Sequence, residues 1–145
     1  MSITVTISGN KSELDSYFQP PLSLSGQYEC GLLYFSVINS TTKYSYVDSK
    51  FPSVIRIECD LIYGSYCNGL PTHIIHEFVS KTAADNQYIE IPQNVIYFPV
   101  NKNNITSITI TVLEQFGYRI NFKEQYIEIR LHLRKPLSNI VCKLT

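Results

Sequence analysis

Apolar and polar residues alternate along most of this chain with a period of two, most cleanly in its C-terminal third, ITSITITVLEQFGYRINFKEQYIEIRLHLRK over residues 105–135. Ile108, Ile110 and Val112 form one run and Ile127, Ile129, Leu131 and Leu133 a second, with Ile120 and Phe122 in a short segment between them. Glu128, Arg130, His132 and Arg134 occupy the other parity of the last run. Successive side chains of a strand point to opposite faces, so each run predicts a strand that is apolar on one side and wet on the other.

The same pattern extends upstream. Ile3, Val5 and Ile7 alternate with Thr4 and Thr6 and predict a first strand, ended by the turn Ser8-Gly9-Asn10. Residues 28–38, YECGLLYFSVI, are apolar on both parities, which predicts a central strand with Gly31 as the site of a bulge. Residues 43–47 alternate, as do 53–61, where Ile55, Ile57, Cys59 and Leu61 oppose Arg56, Glu58 and Asp60. Residues 73–79, 88–91 and 95–100 predict shorter strands, and 140–144 a final edge strand. One stretch reads differently. Ser12 precedes Glu13, and Leu14, Tyr17 and Phe18 sit at helical spacing, so 11–18 predicts a short helical turn stopped by Pro20-Pro21. Residues 63–72, dense in Gly, Asn and Pro, read as a loop. Eight or more strands at this spacing predict an all-β, antiparallel, jelly-roll-like β-sandwich.

Length and composition fit that picture. A chain of 145 residues suits one domain spanning 1–145, and 11 tyrosines favour pleated, half-buried surfaces. The 12 basic and 12 acidic side chains cancel. No specific nucleic-acid partner is therefore expected, since phosphate binding needs a basic excess. A net charge of zero also does little to oppose self-association. MSITVTISGN lacks the apolar run of a signal peptide, and no stretch reaches the ~20 apolar residues that span a bilayer, so the expectation is cytoplasmic synthesis and no membrane partner. In that compartment Cys30, Cys59, Cys67 and Cys142 should stay reduced.

Candidate chemistry is sparse. His73 and His76 would share a face on a helix, but on a strand they point apart, which disfavours a shared metal. Cys59 and Cys67 lack zinc-site spacing, and Cys30 and Cys142 read as isolated buried hydrophobes. Glu58 and Asp60 share a strand face and read as solvated. With no nucleophile motif and no phosphate loop, neither an enzyme nor a cofactor is expected. Two features point to contacts instead. The 63–72 loop carries Tyr63, Tyr66 and Leu70 and no charge, and the outer parity of the last strand carries Glu128, Arg130, His132 and Arg134. Tyrosine serves interfaces and strands alike, so these residues are read as a candidate interface.

Two stretches carry a family likeness. RIECDLIYGSYCNGLPTHIIHEF (56–78) and the run from Pro92 to Lys135, with its NVIYFPV and terminal INF…IEIRLHL, resemble the C-terminal part of capsid-type proteins of Polinton/Maverick elements and related viruses of animal genomes. GNKSELDSYFQPPLSL resembles the opening of such proteins. This chain has Lys123-Glu124-Gln125 where that pattern has a Gly-containing turn, and it is short between Ile38 and Ser53. The resemblance implies a jelly-roll subunit, minor or penton-like in such shells, that self-assembles as trimers or pentamers, alone or with other capsid subunits, into a virion or virus-like particle. It implies no catalytic residues. The alternative is a β-sandwich binding module, lectin-like or receptor-binding, that uses tyrosine-rich loops.

Overall fold

The computed structural model describes residues 2–38, 54–63, 65–79, 87–114, 116–120 and 125–136. The strands expected at 43–47 and 140–144, together with Phe122 and Cys142, lie outside the described residues. The strands are β1 (Ser2–Gly9), β2 (Glu13–Ser23), β3 (Glu29–Ile38), β4 (Val54–Cys59), β5 (Ser65–Cys67), β6 (Leu70–Thr72), β7 (Ile74–Val79), β8 (Gln87–Glu90), β9 (Phe98–Pro99), β10 (Asn104–Glu114) and β11 (Tyr126–Arg134). No helix occurs among the described residues, and none there is long and apolar enough to cross a membrane.

Early strands pair with late ones: β1 with β11, β2 with β10, β3 with β8 and β4 with β7, all antiparallel. Two further pairings, β11 with β3 and β10 with β4, join these hairpins into sheets. One sheet has the order β1-β11-β3-β8, with β9 also on β3, and the other has the order β2-β10-β4-β7. That winding is a jelly roll, so the chain is an all-β antiparallel sandwich as its periodicity predicts. The inward parities of both sheets form a common core. Ile127, Ile129, Leu131 and Leu133 of β11 and Ile108, Ile110 and Val112 of β10 are fully buried there beside Ile55, Ile57 and Phe35. Each such side chain is worth roughly 1.5–3 kcal/mol of transfer free energy.

Several expectations are corrected, the first two in β2 and β3. Residues 11–18 form no helical turn; β2 runs from Glu13 to Ser23, with its irregular middle at Phe18 to Pro21, where the pairing with β10 shifts register. Leu14 turns inward, while Glu13, Asp15 and Tyr17 pair with Thr111, Thr109 and Ser107 and face out. Pairing with β10 outweighs the weak local preference for a helix, and an edge strand tolerates proline. The second correction concerns β3. Arg130 pairs with Tyr34 and Leu131 with Leu32, so the bulge falls at Leu33 and not at Gly31. The inserted residue switches parity: Cys30 and Leu32 are inward before it, Phe35 and Val37 after it. This is why the sequence of β3 looks apolar on both faces.

The 63–72 segment is a hairpin and not an irregular loop. Ser65, Tyr66 and Cys67 pair with Thr72, Pro71 and Leu70. Asn68 and Gly69 form the turn, both with positive φ (53° and 79°), which an Asn-Gly pair adopts with little strain. The residues from Val95 to Tyr97 are not a strand: only Phe98 and Pro99 pair with β3. Before that, the segment crosses the outer face of β3 at Gly31. A Cβ there would lie 2.5 Å from Val95 Cγ1 and 3.1 Å from the Ile96 carbonyl oxygen, so Gly31 is the residue that lets this strap lie down.

Parity on β11 makes a direct prediction. Ile129→Asp, which drives a carboxylate into the packed face, should cost roughly 4 kcal/mol or more in urea denaturation. Glu128→Ala, on the outer face, should cost no more than about 1 kcal/mol. Equal costs would contradict the assigned register.

Candidate functional site

The outer face of β11 sits in the middle of its sheet, flanked by Thr4 and Thr6 of β1 and by β3. Its charged residues have partners within the chain. Arg130 Nη2 lies 2.7 Å from Glu128 Oε2, and its guanidinium stacks 4.5 Å over the Tyr34 ring. Arg134 Nε donates to Glu29 Oε1 at 2.8 Å and lies 3.5 Å over the Tyr97 ring. His132 Nδ1 and the Tyr97 hydroxyl share a 2.7 Å hydrogen bond. Tyr97 belongs to the strap that Gly31 admits, so the strap covers His132 and Arg134 while Arg130 stays exposed. A cation held over an aromatic face gains ~0.5–2 kcal/mol, and the surface ion pairs add less. This face is thus largely self-satisfied.

The β5–β6 hairpin presents the opposite case. Tyr66 is 74% exposed, Leu70 70% and Tyr63 50%, and none of residues 63–72 is charged. Its base is fixed. Ile62 bridges Val100, the Asn101 amide donates to the Leu61 carbonyl at 2.9 Å, and the Cys59 amide donates to the His73 carbonyl at 2.9 Å. His73 Nδ1–H donates to the Ile62 carbonyl at 2.8 Å, and its ring packs 4.5 Å from that of Tyr63. A hydrogen-bonded base thus carries an uncharged hairpin whose Tyr66 and Leu70 flank the Asn68-Gly69 turn in solvent. The hairpin is a two-stranded sheet of its own, apart from the sheet that holds β11, so the candidate interface residues are carried by two different elements.

The other end of the sandwich carries features that the periodicity did not single out. The turn after β10 exposes Phe116 and Tyr118, with Gly117 at φ 89°. Beside it a cleft of about 480 Å³ is lined by Lys11, Glu13, Asp15 and Arg119, among others. Arg119 pairs with Glu13 at 3.3 Å, and Asp15 accepts from the Thr109 hydroxyl at 2.6 Å.

The histidines engage different groups. His73 serves the hairpin base, whereas His76 Nε2 meets Glu90 Oε2 at 2.8 Å, linking the edge strands β7 and β8 of the two sheets. Among the described residues no group of three or more His, Cys, Asp or Glu is placed to hold a metal. Cys30 and Cys59 are free thiols in the core. Cys30 is not isolated: a hydrogen bond from its own S–H to the neighbouring Cys59 sulfur, burial and the proximity of that second cysteine push it well above its ordinary pKa, which keeps it protonated and poorly nucleophilic.

No protein-family model matches the chain, and no curated protein matches it significantly.

The strap yields a graded prediction. Tyr97→Phe removes the bond to His132 but keeps the ring under Arg134, and should cost about 1 kcal/mol in chemical denaturation. Gly31→Ala forces the strap off β3 and should cost more, ~1–3 kcal/mol. A neutral Gly31→Ala would show that the strap does not bear on the sheet.

Proposed function

We propose that this protein is a structural subunit that self-assembles, a capsid-type jelly roll of the kind that its sequence resembles. The observation that carries this reading is the β5–β6 hairpin, whose Tyr66 and Leu70 stand in solvent on a fixed base with no charge in the segment. Apolar tips held rigidly in water mark contact sites, because burying them against a neighbour recovers transfer free energy at little entropic cost. The jelly-roll winding supports the reading only as far as a fold can, since lectin and enzyme domains share it. The zero net charge adds no long-range repulsion between copies. In this account the hairpin is the principal contact, and Arg130 with Glu128, on a different sheet, offers a second, charged contact that sets orientation.

A second reading, a binding module, draws on the cleft between Lys11 and Arg119 with Phe116 and Tyr118 nearby on the same end. A ligand bound there would leave the protein monomeric, and a glycan array would detect its sugar-binding form.

Tyr66→Asp tests the first reading. A carboxylate in a desolvated contact costs several kcal/mol unless paired. The variant should keep the wild-type melting temperature, because residue 66 is exposed, and should lose the particles or oligomers seen by negative-stain electron microscopy of the wild type. Particles that survive Tyr66→Asp would remove the hairpin from the contact.

A further inference from the structure

We propose that β1 is a second association surface, where two copies join by antiparallel pairing of their β1 strands into one continuous sheet. The inference rests on the self-assembly reading but uses a surface that is separate from the hairpin.

The starting point is hydrogen bonding. β1 is the edge of its sheet, and among the described residues β11 is the only strand bonded to it. In an antiparallel ladder every second residue turns its N–H and C=O away from the partner. Along Ser2–Gly9 those groups face outward, and among the described residues they have no protein acceptor or donor. Such an edge is a template for another strand, and natural sheets usually blunt it with charge, proline, bulges or shortness.

The other three edges have those features. β2 contains Pro20 and Pro21, carries Glu13 and Asp15, and is irregular where it meets β10 between Ile105 and Ser107. β8 has only four residues. β7 carries Glu77 and is tied across the sandwich through His76 to Glu90. β1 has none of them: its eight residues, SITVTISG, contain no charge and no proline, and its pairing with β11 runs without a register shift.

The occupant follows from parity. Ile3, Val5 and Ile7 lie opposite Leu133, Leu131 and Ile129 and face the core, while Thr4 and Thr6 face out. If Val5 of one copy sits opposite Val5 of the other, Ile3 meets Ile7 on the inner face and Thr4 meets Thr6 on the outer face. Any two-fold antiparallel pairing centred on a residue matches the outward-pointing amides with themselves, whichever parity points out. A shift of one residue would set threonine against isoleucine and misalign both faces. A second copy of β1 therefore satisfies the edge in hydrogen bonding, in face and in charge, and generates the isologous two-fold contact common in homo-oligomers.

The test is a charge exchange at Thr4 and Thr6, which are exposed and lie opposite His132 and Arg130 of β11. In T4E/T6E the proposed pairing sets glutamate against glutamate twice, and sedimentation at ~50 µM should report an association constant about tenfold or more below wild type. In T4K/T6E the same pairing sets lysine against glutamate twice, and association should return to the wild-type level. Both variants should melt like the wild type. Wild-type association in T4E/T6E, or loss in both variants alike, would overturn β1 pairing. The first of these outcomes leaves self-assembly through the hairpin standing. A monomeric wild type overturns both.

Discussion

The fixed parity of β11 is the constraint on which the rest of this structure depends. Among the described residues it is the one strand that hydrogen-bonds both β1 and β3, and its inward residues Ile127, Ile129, Leu131 and Leu133 are fully buried. A one-residue slip would exchange that face for Glu128, Arg130, His132 and Arg134, and burying those charges would cost far more than a domain's net stability. The neighbours adapt to β11 instead. β3 takes an extra residue at Leu33 so that Cys30, Leu32, Phe35 and Val37 all reach the core, and β1 matches β11 residue for residue from Ser2 to Gly9.

The sequence made the half-buried strands legible because each has one wet face, and period-two alternation records that directly. β1, β4, β10 and β11 are read from it in nearly their observed extents. Where it misled, a long-range partner was the missing information. Leu14, Tyr17 and Phe18 fit a helix as well as a strand until β10 is known to lie beside them. The parity switch in β3 resembles a continuous apolar run, because a bulge leaves no mark of its own in composition. The hairpin at Asn68-Gly69 was legible, since that dipeptide favours positive φ at both positions, and reading the segment only as a loop overlooked it.

The candidate surface was partly legible for the same reason. A loop dense in Gly, Asn and Pro signals a surface position without any knowledge of the fold, and Tyr63, Tyr66 and Leu70 are exposed there. The satisfaction of Arg134 and His132 was hidden, because Tyr97 lies 35 positions from His132 in sequence and reaches it only where Gly31 leaves room for the strap. The cleft beside Arg119 was hidden too, being formed by turns that join different strands. In the proposed reading the two contacts are the uncharged hairpin and the β1 edge, beyond which no strand lies among the described residues.

Self-association is the central claim, and molar mass as a function of concentration addresses it without any substitution. Light scattering on the unaltered protein from about 1 to 100 µM, the range in which weak and moderate interfaces saturate, should show a mass rising from that of the 16.6 kDa chain toward a discrete multiple of it. A constant monomer mass across the whole range, with the sandwich folded, would contradict the account.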